Sequence, residues 1–461
     1  MALHSKVGHV PEAGMCAGQT ATLPARKPLY SEETRVGITS NSHSIRKPSR
    51  PLRRQQLIRL AVLSTLCDPP SGKSLRMLNL SRREWRKLLE WLDISGLALY
   101  FLDQLAALEL SDLLPHAVRA RLYRNLIDNT QRTRSMISES IAIQQSFQKE
   151  GLAYANLKGL SLCPNSVPKL ELRSQFDLDF LVAATCIEDA RDILERRGYR
   201  LYAISGRSWE FKFNERPGIS LREIYKDFHS YAVELHVESS VPGRQSPLER
   251  LESRPLRGMS MPVLCPVDLL LGQGLHAFKH LCGESSRAAH LLEFRRHVLN
   301  RREDSDFWCE LQARAQDDPR AALGFGVVIL LITRVMGAFA PPALMQWTVD
   351  RLPKPVQLWV DIYGHRIALG SYPGTKLYLL LQQELEAAGL KENRPIRSAL
   401  FPARLPPPVI QALPNEPLRV RVRRYSMHLQ LILERARFHA VEGLRFALES
   451  RRWRRMKEQT Q

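Results

Sequence analysis

What this chain has little of narrows its class before any motif is read. Its seven cysteines, at positions 16, 67, 163, 186, 265, 282 and 309, include no C-x-x-C pair and no regular spacing, which excludes a zinc knuckle and a disulfide framework. Unpaired thiols of this kind fit a reducing compartment. The N-terminal residues contain no apolar core of the signal-peptide type, and the most apolar run, Leu323 to Thr333, is too short for a bilayer and is stopped by Arg334 and then Pro341-Pro342. The expectation is therefore a cytoplasmic protein without a transmembrane segment. A phosphate loop is also missing: PPSGKS at residues 69–74 ends like one, but the glycine it needs upstream falls at Cys67. Acid is in short supply, with 47 Asp and Glu against 67 Lys and Arg and a net charge of +20. That balance favours anionic partners such as nucleic acid, nucleotide phosphates or an anionic membrane surface. Because the excess is concentrated near both ends, basic tails account for it equally well.

The 461 residues are enough for two or three domains. Residues 1–55 are poor in aromatics, rich in Ser, Thr, Pro and basic side chains, and show no hydrophobic period, so they read as a disordered basic segment. From Gln56 to residue 150 the pattern is helical. Ser81 to Glu84 (SRRE) has capping-box spacing and opens a helix with Trp85, Leu88, Leu89 and Leu92 on one face. Helices follow over Leu97 to Leu108 and over Pro115 to Glu150, the latter with a Val118, Leu122, Leu126 core stripe. Residues 151–262 alternate strand-like runs with IEDARDILERR (187–197), an amphipathic helix closed by Gly198, and such alternation implies a mixed α/β sheet. Strands are expected over Tyr199 to Ala203, Trp209 to Asn214 and Ala232 to Val237. Residues 263–392 return to helix, 393–417 form a Pro-rich connector, and 418–461 read as one or two basic amphipathic helices.

The stretch from Tyr154 to Val182 carries the chemistry. An apolar run ends in Lys158-Gly159, and after a Pro-punctuated loop Asp177-Leu-Asp179 opens the run Phe180-Leu181-Val182. Strand side chains alternate, so Asp177 and Asp179 share one face while Leu178, Phe180 and Val182 point to the other. Two carboxylates on one strand face repel unless a cation sits between them, and a hard divalent ion is the usual solution. A second explanation is that the acids cap the turn at the strand entrance. In VELHV, Val233, Leu235 and Val237 take the core face, which leaves Glu234 and His236 together on the other. Three acids converging from adjacent strands suit two-metal phosphoryl or nucleotidyl transfer.

This constellation resembles the uncharacterised nucleotidyltransferase family of the DNA polymerase beta-like superfamily, over roughly residues 56 to 340 and most strongly from 154 to 240. In that family a Lys-Gly turn follows the first strand, an Arg precedes a D-x-D strand, and a third acid lies on a later strand, often beside a His. The matching positions are Lys158, Gly159, Arg173, Asp177, Asp179, Glu234 and His236. The resemblance implies a nucleotidyltransferase-type sheet embedded between helical subdomains, with Asp177, Asp179 and Glu234 as ligands of Mg2+ or Mn2+. It also implies a nucleoside triphosphate such as ATP as substrate, with Lys158, Gly159, Arg173 and His236 around its phosphates. The acceptor it leaves open: small molecule, protein or RNA. This chain departs from the pattern in having Glu rather than Asp at the third acidic position.

Other signals compete. Arg173 is expected either on the triphosphate, on a metal-binding carboxylate, or paired with Glu171. His236 either touches the metal site or is satisfied by backbone. His276 and His280 sit i, i+4 on a helix and with a third ligand could bind zinc; without the glutamate of H-E-x-x-H a structural or supporting role is favoured. RRWRRMK at 451–457 is either an anion-gripping element or a solvated tail. The functional alternatives to a transferase are a catalytically silent nucleotide- or RNA-binding module of the same fold, and a zinc hydrolase centred on the two histidines.

Overall fold

The computed structural model describes residues 53–459 apart from 68, 77–78, 214–223, 228–230, 240–244, 285, 317, 371–373, 391–395 and 403–416. The basic N-terminal segment up to residue 52, Asn214 and most of the Pro-rich connector therefore lie outside the described residues. The described residues all belong to the unit spanning residues 47–461.

Seven strands are described: β1 Tyr154–Leu157, β2 Asp177–Val182, β3 Arg200–Ser205, β4 Ser208–Lys212, β5 Ala232–Val237, β6 Leu251–Leu256 and β7 Met259–Leu264. They form one mixed sheet in the order β3-β4-β5-β2-β1-β7-β6. β2 runs parallel to β5 and antiparallel to β1, and β1 in turn runs parallel to β7. The fold is thus α/β with a mixed sheet, as expected. The β6-β7 hairpin is not visible in the sequence pattern, because Pro255 and Pro262 fall inside its two strands and proline normally argues against a ladder. Pro255 is tolerated because β6 is an edge strand. The turn joining them puts Arg257 and Gly258 both at positive φ, 45° and 83°, the backbone that matches strand twist in a two-residue hairpin.

Leu178, Phe180 and Val182 of β2 and Val233 and Leu235 of β5 face one hydrophobic cluster. That cluster is completed by Ile193 and Leu194 of helix Ile187–Arg196 and by Met136, Ile143 and Phe147 of the long helix His116–Lys149. The first half of the long helix, with Val118 and Leu122, packs into a different and larger core. That larger core is shared by helices Arg54–Thr65, Arg82–Ser95 and Ala98–Ala107 and by those after the sheet, so residues on either side of the sheet in sequence are buried together. The capping box is formed: Ser81 Oγ accepts from Glu84 N–H at 3.3 Å, and Ser81 N–H donates to Glu84 Oε2 at 2.9 Å.

After the sheet, the helical stretch expected over residues 266–296 is two helices, Pro266–Leu281 and Ala288–Asn300. The stretch expected from 307 to 338 is likewise two, Ser305–Ala315 and Pro319–Met336, the second opened by a proline at its first turn. Helix Pro319–Met336 is longer than its apolar run suggested and by length and composition alone could cross a membrane, but 67% of it is buried inside the protein. It is a core helix: a β-carbon at Gly274 of helix Pro266–Leu281 would lie 2.4 Å from the Phe325 ring, so the two helices meet at a small residue. The basic C-terminal stretch is a single helix, Leu418–Glu458.

Candidate functional site

The acidic face of the sheet is built by register. Asp179 of β2 stands opposite Glu234 of β5 on one side and opposite Leu157 of β1 on the other, and His236 follows Glu234 by two positions on the same face. The chain leaves β1 through Lys158 and Gly159, both at positive φ (48° and 43°). A positive φ on lysine is uncommon and strained, and here it turns the side chain back across the sheet. Lys158 Nζ lies 2.8 Å from Asp179 Oδ1. Glycine at 159 suits the positive φ, and a β-carbon there would also force the Gln175 side-chain amide, 2.2 Å away, to move. The helix expected after the Lys-Gly turn is only the one-turn segment Gly159–Leu162, too short to add a helix-dipole field.

Asp179 is buried, 4% exposed, and is the hub of the site. Its Oδ1 also lies 2.9 Å from His236 Nε2, which is 3.4 Å from Glu234 Oε2. Burial alone would raise the Asp179 pKa, but the Lys158 ammonium and the His236 ring together hold it well below the usual carboxylate range. Glu234 is lowered by its bond to His236, and His236 is raised because its two carboxylate partners outweigh its burial. Lys158 is raised, its partner Asp179 overcoming desolvation. Asp177, by contrast, is pushed up to about 6 by burial and by the Asp179 charge. Asp179, Glu234 and His236 each bring a ligand atom within 4.8 Å of the others, while Asp177 shares the face without joining that trio.

Arg173 is paired neither with Glu171 nor with a β2 acid. Its Nε donates to both Glu293 oxygens at 3.2 and 3.4 Å, and Tyr100 Oη donates to Glu293 Oε1 at 3.0 Å. Asn129 Nδ2 of the long helix fixes the loop by donating to the Glu171 and Arg173 carbonyls at 2.7 and 3.1 Å. Two more arginines border the site that the linear pattern gave no reason to single out. The Arg132 and Arg287 guanidinium groups lie 4.8 and 5.4 Å from the Phe176 ring centroid, close enough to Asp177 to feel its charge. Arg132 donates Nη1 to the Ile224 carbonyl at 2.5 Å and leaves Nε and Nη2 buried without a partner among the described residues. Buried Asp179 and half-buried Asp177 and Glu234 are thus walled by Lys158, Arg132, Arg173 and Arg287, a charge pattern suited to an anionic ligand that also carries cations.

The histidines gather nearby. His276 and His280 project from helix Pro266–Leu281 and meet His290 of helix Ala288–Asn300, with ring centroids 4.6, 4.9 and 4.7 Å apart. Burial lowers His276 to about 3 and His290 well below the ordinary imidazole value, so both rings are uncharged at neutral pH. A cavity of about 100 Å3 lies between the two clusters, lined among others by Lys158, Arg173, His276, His290 and Glu293. At the far end of the C-terminal helix, Trp453 is neither solvated nor free to grip a polyanion. It is 2% exposed, and its Nε1 and Lys457 Nζ both donate to Glu384 Oε1, at 2.8 and 2.9 Å.

Comparison with known proteins bears on the same region. No curated protein matches the chain. Among solved structures, the crystal structure of an antigenic nucleotidyltransferase-like protein from Paracoccidioides brasiliensis aligns at 16% identity with a TM-score of 0.27, covering 47% of this chain and 97% of that one. At that score the likeness bears no argument. A family model described as uncharacterised nucleotidyltransferase matches residues 81–336, more than half of the chain and the whole acidic face with its Lys-Gly turn. The chain belongs to this uncharacterised nucleotidyltransferase family.

Proposed function

We propose that the protein transfers a nucleotidyl group from a nucleoside triphosphate, ATP or another, to an acceptor nucleophile and releases pyrophosphate, with Mg2+ or Mn2+ held by Asp177, Asp179 and Glu234. The observation that carries this reading is the register of Asp179 beside Glu234 on adjacent parallel strands, with Lys158 and His236 already supplying positive charge between them. Two carboxylates converge beside His236 and Asp177 shares their face, a carboxylate-rich set that fits a hard divalent ion rather than a soft one. When bound, that ion supplies charge neutralisation at the phosphoryl oxygens and acidifies the attacking hydroxyl.

The chain's own residues supply the rest. Lys158 offers a cationic N–H group to the phosphates, and Arg132, 1% exposed, adds buried positive charge beside Asp177. Gly159 lets the backbone approach them closely. Glu293 holds Arg173 in place beside Asp177, so the guanidinium is positioned before any ligand arrives. In the reaction the acceptor oxygen bonds to the α-phosphorus as the bridge to the β-phosphate breaks. The acceptor proton passes to Glu234, whose oxygen is half-buried and hydrogen-bonded through His236.

One observation favours a second reading, a silent nucleotide- or RNA-binding module: Asp179 Oδ1 is doubly occupied by Lys158 and His236. Melting temperature with each nucleoside triphosphate, with and without Mg2+, separates the two. A ligand that binds only the folded state at a hundredfold excess over its Kd adds about 2.7 kcal/mol. The transferase reading expects a magnesium-dependent shift that Glu234→Gln and Asp179→Asn both abolish, and pyrophosphate release once an acceptor is supplied. Asp179→Asn also strands the Lys158 charge, so Glu234→Gln is the cleaner variant. A shift indifferent to magnesium and to both substitutions would leave the binding module.

A further inference from the structure

We propose that His276, His280 and His290 form a second metal centre, taking a zinc-class transition dication and separate from the carboxylate site, with its open position toward the cavity lined by Lys158 and Arg173. The proposal stands independently of nucleotidyl transfer.

The three rings come from two helices and converge only through tertiary packing. His276 and His280, one turn apart, share a face of helix Pro266–Leu281, and His290 reaches them from helix Ala288–Asn300. Each offers a ligand nitrogen, and these atoms lie within 4.8 Å of one another. A second observation points the same way. His290 is only 9% exposed, yet its Nδ1 is buried without a hydrogen-bond partner among the described residues. A buried imidazole nitrogen left unsatisfied costs free energy that a metal bond would recover.

The donor set selects the ion. Three imidazole nitrogens suit zinc, cobalt or nickel and do not suit Mg2+, whose preference is for oxygen. Metal-nitrogen bonds of about 2.0–2.1 Å in a tetrahedron need nitrogens roughly 3.3 Å apart. From within 4.8 Å of one another the nitrogens need close in by at most about 1.5 Å, which side-chain rotation allows because His276 and His280 are only half-buried. Three protein ligands leave a fourth position open.

The charge around that position defines what fills it. Lys158, Arg173 and Arg287 all act on the histidines from their surroundings, against Asp179 and Glu293. With a dication added, the balance is positive, so the open position calls for an oxygen anion: hydroxide, or a phosphate oxygen of a bound nucleotide. Gln273, on the same cavity wall, has a buried Nε2 with no partner among the described residues, a donor available to such an anion.

The test uses the full chain without a histidine tag. Metal content is measured after purification without chelator, and Co2+ is titrated into protein stripped with EDTA while visible ligand-field absorption is followed. The expected result is one zinc per chain and a tetrahedral cobalt spectrum. Co2+ affinity should fall at least tenfold in His280→Ala and in His276→Gln, and persist in Glu234→Gln, which alters the carboxylate site without touching a group that acts on these rings. Circular dichroism checks that each variant is folded. The parent protein's own metal content and cobalt spectrum decide the matter if a variant does not fold. Absence of stoichiometric zinc or cobalt uptake in the parent would overturn the proposal. So would uptake that survives both histidine substitutions or disappears in Glu234→Gln.

Discussion

Asp177 and Asp179 stand two residues apart on one strand face and yet are driven in opposite directions. Asp179 has the ammonium of Lys158 and the ring of His236 on one oxygen, while Asp177 has burial and its neighbour's charge against it. A carboxyl whose folded pKa is raised contributes stability that is fully present below its unfolded value of about 3.9 and is lost as pH rises through about 6. In metal-free protein, Asp177→Asn should therefore be more stable than the parent at pH 8, on the order of 2 kcal/mol, and should lose the parent's decline between about pH 4 and 6. Melting temperatures in EDTA across that range measure it. Parallel curves for parent and variant would refute the burial argument. Adding Mg2+ should narrow the difference, since a cation between the acids removes the penalty that the substitution relieves.

At the scale of one element, local signals were legible wherever the cause was local. The capping box at Ser81 marks the start of helix Arg82–Ser95 in the sequence, and the structure ends that helix at the left-handed Gly96. Ser81→Ala should cost about 1 kcal/mol, read from chemical denaturation, and Glu84→Gln should cost less because a glutamine can still close the box. Strands were harder. β5 is legible because Val233, Leu235 and Val237 alternate with Glu234 and His236, while β6 and β7 carry prolines and were invisible. The single C-terminal helix Leu418–Glu458 shows the same limit from the other side, since its basic pattern indicated helix but not where the helix would dock.

For the whole molecule, that docking is decisive. Trp453 packs at 5.9 Å from the Tyr363 ring, and Tyr363 Oη donates to Glu449 Oε2 at 3.1 Å, so the last helix closes the helical core. Trp453→Ala should cost about 3–5 kcal/mol and leave Glu384 with Lys457 alone. Arg454→Ala, on the exposed side, should change the melting temperature little. Equal effects of the two substitutions would mean that the helix is held by its charge and not by its buried ring. The larger core runs from Ile58 through the helices after the sheet, so apolar side chains of residues 56–150 and of residues 263–392 are buried together.

The sequence by itself determined which residues could serve the site. A period of two put Asp177 and Asp179 opposite Leu178 and Phe180, a strand-ending Lys-Gly announced the turn, and VELHV placed Glu234 with His236. Tertiary structure alone decided which of them meet. The pairing of β2 with β5, whose partner residues are 55 apart in number, sets Asp179 beside Glu234, and no local pattern encodes a register between distant strands. The same holds for Glu293 under Arg173, for Arg132 and Arg287 beside Phe176, and for His290 against His276 and His280. Glu293, Arg132 and the three histidines sit on helices, and Arg287 just before one, whose own periodicity requires only an apolar face. Where those helices cross, and so which polar side chains they bring together, is fixed by the burial of that face over the whole chain.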